Sequence, residues 1–235
     1  MKVVEKMSDP LSALGVLTEP MRRRVYEHVA LTGGEVSRDS VASALGVARS
    51  VAAFHLDKLA RAGLLDVEYR RPPERRGPGA GRPAKWYRRA AGEVSVSVPE
   101  RRYALAAELL ARTVERAGAE GDAVDGVLAD VARAHGRGAA HELRAAASGI
   151  TDGPGVESVE RLADFLARQG YEPRMSEGAI TMANCPFHAL VEEHRDLVCR
   201  MNHAWLSGVT EAAGLPPGTA RLDPASGRCC VTIAT

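Results

Sequence analysis

The chain has 235 residues, of which 45 % are hydrophobic and 26 % charged, and its formal net charge is +1. These figures describe a soluble globular chain long enough for one large domain or two ordinary ones. Its apolar runs are broken by charge or glycine well short of the ~20 residues a bilayer span needs, and MKVVEKMSDP lacks an apolar core with a cleavage site, so a cytoplasmic protein with no membrane partner is expected.

The small net charge hides a partition. Met1 to Ala90 holds 17 Lys and Arg against 10 Asp and Glu, a net +7, whereas Ala91 to Thr235 holds 14 against 20, a net −6. A basic half is what a polyanion selects, because each phosphate that is neutralised releases a condensed counterion; the acidic half is repelled by the same surface. Double-stranded DNA is therefore the leading partner for the first half.

In chain order, Asp9 to Leu31 reads as two helices parted at Thr18-Glu19-Pro20, with Thr18 as N-cap and Pro20 in the first turn of the second helix. Ser37 caps a short helix through Ala44, Gly46 ends it, and a longer helix runs from about Ala48 to Ala62, closed by Gly63. Leu64 to Tyr69 and Ala84 to Tyr87 have strand character, and RRPPERRGPGAGRP between them is too rich in Pro and Gly for either helix or strand. This is a helix-turn-helix followed by a β-hairpin with a long basic tip. Val94 to Val98 is a strand or extended linker, and Pro99-Glu100 opens a helix to about Ala117. Asp122 to Ala147 is helical by its apolar spacing, with Gly136 and Gly138 as weak points, and Val156 to Gln169 is an amphipathic helix. Further on, Tyr171 to Met175 pairs with Ala179 to Met182, Pro186 to Gly214 forms one or two helices, and Thr219 to Leu222 and Cys229 to Ala234 form another strand pair. The expected fold is mainly α with α+β parts: a winged helix-turn-helix in residues 1–92, a helical linker and dimerisation region in 93–150, and an α+β sensor in 151–235.

The second helix of a helix-turn-helix enters the major groove, ~12 Å wide, and its N-terminal residues meet the base edges. In ARSVAAFHLDKLARAG, helical spacing puts Ala52, Leu56 and Leu59 on the buried stripe and Arg49, Ser50 and Ala53 on the opposite face. Arg49 can pair with guanine or clamp a phosphate, Ser50 can bond either, and Ala53 or Phe54 can touch a thymine methyl. Ser37, Arg38 and Lys58 complete the candidate surface, and His55 joins it as a half-buried hydrogen-bonding residue more than a base reader. Between Arg70 and Arg89 stand eight basic residues and one acid; Arg70, Arg71, Arg75, Arg76, Arg82 and Lys85 are the candidate wing contacts to the sugar-phosphate backbone. A solvated basic loop is the plain alternative.

LGVARSVAAFHLDKLARAGLLDVEYRR followed by GRPAKWY resembles the winged-helix regulators of the ArsR type, in the SufR-like branch, over Leu11 to Arg89. The resemblance implies a homodimer, acting as a repressor, on an inverted-repeat operator. The segment NCPFHALVEEHRDLVCRMNHAWLSGVTEAAG with ARLDPASGRCCVTIA resembles the same branch, whose members can bind an iron-sulfur cluster through cysteines.

All four cysteines, Cys185, Cys199, Cys229 and Cys230, fall in the last fifty-one residues, spaced Cys-x13-Cys-x29-Cys-Cys with no CxxC pair. Cys185 precedes Pro186 at a helix start, where the helix dipole favours a thiolate. Alternation along a strand turns Cys229 inward with Val231 and Ile233 and Cys230 outward, so Cys185, Cys199 and Cys229 are the expected metal ligands, with His188, His194 or His203 as a fourth. An iron-sulfur cluster leads this reading; zinc in a Cys2His2 site, a thiol-disulfide switch and plain packing of free thiols are its competitors. In a different reading the sensor binds a small organic effector and the cysteines are structural. An enzyme with Cys185 as nucleophile and His188 or His194 as base is not expected, because no orienting third group is identifiable.

Overall fold

The computed structural model describes residues 10–70, 83–141, 143 and 156–235, without the side chain of Val156. It divides into two compact units between Val96 and Ser97.

The first unit begins with α1 (Pro10–Val16) and α2 (Pro20–Thr32). Pro20 starts α2 as its sequence indicates, but the cap is Glu19, whose carboxylate accepts from the amides of Met21 (3.0 Å) and Arg22 (2.7 Å). Thr18 instead donates to the Gly15 carbonyl and finishes α1. The two-residue strand β1 (Val36–Ser37) leads into α3 (Arg38–Leu45), where Ser37 and Ser40 form a reciprocal capping box. Gly46 ends α3 at φ 65°, in the left-handed region that favours glycine, and α4 (Arg49–Arg61) follows after a three-residue turn. Strands β2 (Leu65–Arg70) and β3 (Ala84–Arg89) pair antiparallel with Val67 opposite Tyr87, and β1 adds to the far edge of β3. Ala52, Leu56 and Leu59, the stripe anticipated on α4, are fully buried against Val25, Val29, Val41, Leu65 and Tyr87. Full burial of a leucine is worth about 1.5–3 kcal/mol, so this face of α4 fixes which residues remain outside.

The second unit contains α5 (Tyr103–Glu120), α6 (Val124–Ala139), α7 (Val156–Arg168), β4 (Pro173–Ser176), β5 (Ala179–Met182), α8 (His188–Ala212), β6 (Ala220–Leu222) and β7 (Val231–Ala234). Both expected strand pairs form, and they join edge to edge into one antiparallel sheet ordered β4-β5-β7-β6. The fold is mostly helical with these two small sheets, as the sequence indicates.

Several expectations are corrected. Helix α5 starts three residues beyond Glu100, at Tyr103. Residues 93–150 do not stand apart: Leu105, Leu109, Leu128 and Ala132 share one core with Phe165, Ile180, Trp205 and Val231. Gly136 is not a weak point in α6. It lies where α6 crosses α8, and a methyl placed on it would stand 2.1 Å from the Trp205 carbonyl oxygen; one on Gly208 would stand 2.1 Å from that of Arg133. The two glycines let the helix backbones touch. Helix α8 is continuous by hydrogen bonding but bends at His194, whose φ and ψ are −125° and 42°.

Candidate nucleic-acid interface and cysteine centre

In the first unit, the start of α3, the leading half of α4 and the root of β3 enclose a groove of about 320 Å³ lined by Ser37, Arg38, Asp39, Arg49, Ala53, Asp57, Tyr69, Lys85 and Tyr87. Ser50 is exposed at the start of α4 and Phe54 is 53 % exposed one turn on, with the Lys58 ammonium 5.8 Å from its ring centre. This is the placement a helix entering a major groove requires. His55 is withdrawn from it: the ring is buried, with Nδ1 3.4 Å from Glu19 Oε2, but that nitrogen has no hydrogen-bond partner among the described residues, so the hydrogen bond expected of His55 is not formed there. Arg71, Arg75, Arg76 and Arg82 lie outside the described residues.

The cationic side chains at this surface come with anionic neighbours that no residue pattern indicated. Arg49 forks onto Asp39, with Nη2 3.0 Å from Oδ2 and Nε on Oδ1. Lys85 Nζ lies 2.7 Å from Asp57 Oδ1, which also accepts from the Tyr87 hydroxyl at 2.9 Å. Arg70 is shared between Glu35 and Glu68, and Arg88 faces Asp66 at 3.3 Å. Burial pulls the Asp57 carboxyl upward, but the bonds from Lys85 and Tyr87 outweigh it and hold the group below the usual aspartate range. Burial, followed by the bond to Asp57, pushes the Tyr87 phenol well up. Pairs this exposed contribute at most about 1 kcal/mol each, so their cations remain exchangeable.

In the second unit the four cysteines meet, although 44 residues of chain separate Cys185 from Cys230. Their thiols form a chain of contacts: Cys185 with Cys229, Cys229 with Cys230, and Cys230 with Cys199. None is in a disulfide. Strand alternation does not govern Cys230, because β7 begins at Val231 and Cys230 lies in a bend before it. Both are buried. Cys229 faces inward, where it accepts from Asn202 Nδ2 at 3.3 Å. Cys185, Cys199 and Cys230 line a pocket of about 570 Å³ together with Arg101, Asn184, His188, Glu192, Arg195 and Arg228.

The expectation of a depressed Cys185 pKa at a helix start is overturned. The hydrogen bond to Cys229 and burial push this thiol far up, against the weaker pull of the Phe187 amide and Arg101. The bond from Cys185 draws Cys229 down, yet its bond with Cys230 and burial prevail and leave it pushed up to about 11. Burial likewise raises Cys199. Metal binding would have to expel protons from Cys185, Cys199 and Cys229, whose thiols are all pushed up. Of the histidines named as a fourth ligand, His188 lies at the pocket rim 3.6 Å from Glu192, His194 occupies the α8 bend, and His203 Nε2 is 3.0 Å from the Ala220 carbonyl. Among the described residues no three His, Cys, Asp or Glu side chains are grouped so as to hold a metal ion. That arrangement gives a single-ion zinc site no support. Cluster chemistry does not require convergence on one point, since the thiolates of a four-iron cluster each bind a different iron, and an all-thiol donor set beside three arginines suits an anionic cluster.

A buried chain leads away from the thiols. Asn202 also accepts from the Tyr171 hydroxyl at 2.5 Å, Tyr171 stacks on Trp205 with ring centres 5.9 Å apart, and Trp205 Nε1 donates to His135 Nδ1 at 3.0 Å. No residue pattern in the sequence pointed to Asn202 or His135.

Comparison with known families finds a helix-turn-helix domain over residues 17–68, the stretch from the end of α1 to β2. No curated protein and no solved structure matches the chain. A helix-turn-helix domain over these residues supports a DNA-binding transcription regulator. No helix among the described residues is long and apolar enough to cross a membrane.

Proposed function

We propose that the protein is a homodimeric transcriptional repressor of the SufR-like kind, gripping an inverted-repeat operator under the control of an iron-sulfur cluster held by its C-terminal unit. The observation that carries this reading is the meeting of four cysteines from three separate parts of the chain beside one pocket, three of them lining it. Cys185, Cys199 and Cys230 would hold the cluster, and Arg101, Arg195 and Arg228 would offset its charge. Cys229, behind them, tunes the site through Asn202. When bound, the cluster supplies sensitivity to oxidants and to iron and sulfide supply. A homodimer would suit docking on an inverted repeat, since one recognition helix reads only a half-site.

Two other readings have an observation behind them. The pairwise thiol contacts favour oxidation to a disulfide, and the pocket volume falls within the range for small organic ligands. Anaerobic purification with an absorption spectrum and iron and sulfide assays, run on wild type and four single Cys→Ser variants, separates them. The cluster reading expects a coloured protein that loses its iron in Cys185→Ser, Cys199→Ser and Cys230→Ser and keeps it in Cys229→Ser, with operator affinity differing between loaded and apo forms. Colourless protein with four titratable thiols would sink the cluster, and unchanged regulation in all four variants would leave the organic effector.

A further inference from the structure

The groove on the DNA-facing side of the first unit holds two carboxylates, where a surface built only to attract a polyanion would hold none. Asp39 receives Arg49 in a two-point fork, the same geometry a guanidinium offers to a phosphate or to a guanine edge. Asp57 receives Lys85. Both aspartates line the groove, and neither is buried. Each cation therefore already has an anionic partner before a duplex arrives.

The geometry points to Asp39 and Asp57 as specificity-determining residues that hold Arg49 and Lys85 away from generic DNA backbone, releasing them only where a cognate contact replaces the carboxylate. The reason is one of exchange. A phosphate that takes Arg49 from Asp39 leaves that carboxylate unpaired beside a polyanion, so an ordinary backbone contact has little net attraction. A cognate site adds a base-edge bond in the same fork, which the carboxylate cannot match. Non-specific affinity is suppressed more than specific affinity, and the difference between them is what a regulator searching a genome uses.

This inference rests on the DNA-binding reading, and the experiment keeps the two apart. The full-length protein is titrated into a labelled 30-base-pair duplex of randomised sequence across a range of salt concentrations, by fluorescence anisotropy. Each phosphate newly engaged steepens the slope of log K against log salt by about 0.9, which corresponds to about eightfold tighter binding at 0.1 M salt. Asp39→Asn and Asp57→Asn should each show this gain. Glu27→Gln on the exposed side of α2, which changes net charge equally, should show much less. In the Arg49→Gln background Asp39→Asn should have no further effect, and in the Lys85→Gln background neither should Asp57→Asn. Far-UV circular dichroism confirms folding, and the exposed Asp39 provides the test should Asp57→Asn disturb the wing. If wild type binds and the Asn variants keep its slope, or if the gain survives in the Arg49→Gln background, the inference is wrong and DNA binding stands. If no form binds any duplex, both fall.

Discussion

Replacing Gly136 by alanine tests the packing of the second unit at its tightest point. The new methyl would lie 2.1 Å from the Trp205 carbonyl oxygen, 3.0 Å from its carbon and 3.3 Å from the Val209 nitrogen, all main-chain atoms of α8. Ordinary contact begins near 3.4 Å, so the helices must separate by about 1.3 Å at the crossing, and no side chain can turn aside to spare them. Overpacking typically costs 1–3 kcal/mol, and an obstacle made of backbone belongs at the top of that range. Alanine returns about 1 kcal/mol of helix propensity, which Gly138→Ala, two residues on with nothing within 4 Å of its new methyl, should show as a net gain. We expect Gly136→Ala to lose about 2 kcal/mol net and Gly138→Ala to gain up to about 1 kcal/mol, a gap corresponding to roughly 10 °C in melting temperature. Urea unfolding followed by Trp205 emission in a Trp86→Phe background reads this unit alone, because each unit contains one tryptophan. Gly136→Ala matching or exceeding Gly138→Ala in stability would refute the crossing geometry.

Three further outcomes follow from polar groups. Asp57 has a lowered folded pKa, so its contribution to stability is complete above its unfolded value near ~3.9 and disappears as pH falls through the folded one; Asp57→Asn should lie below wild type by a constant amount above about pH 4 and converge with it in acid, measured by denaturant midpoint. Tyr171→Phe removes the donor to Asn202 inside the core and should cost about 1–3 kcal/mol, with intact secondary structure by circular dichroism. Burial lowers the His135 pKa, with Glu108 opposing and Arg112 and Arg102 assisting, so in the Trp86→Phe protein Trp205 emission should change with a midpoint below about 6.5 and lose that change in His135→Asn; a midpoint at or above 6.5 would contradict the assigned contact.

Much of the first unit was legible because its signals are local. Ser37 and Gly46 delimit α3, Pro20 starts α2, and the spacing of Ala52, Leu56 and Leu59 orients α4 with no tertiary information. What escaped depends on partners distant in sequence. Asp57 reads as an ordinary solvated helix residue until β3 brings Lys85 and Tyr87 to it. In the second unit, the placement of the cysteines suggested a common site, but setting Cys230 aside assumed strand geometry where the chain bends. The prediction for Gly136 failed for a related reason: a glycine in a helical pattern looks like a defect unless the facing helix also carries one, and Gly208 lies seventy-two residues away.

The two features that sequence reading missed in the second unit are physically continuous. Cys229 is hydrogen-bonded to Asn202 of α8, Asn202 to Tyr171, and Tyr171 stacks on Trp205, whose indole N–H ends on His135 of α6. His135 is next to Gly136, and the carbonyl nearest Gly136 belongs to Trp205 itself. A bond formed at the Cys229 sulfur, or a proton removed from it, alters the acceptor that Asn202 meets and so bears on a helix in main-chain contact with its neighbour. Side-chain interfaces absorb small shifts by changing rotamer; a crossing made of backbone at both glycines has no such reserve, and displacement of one helix must move or strain the other.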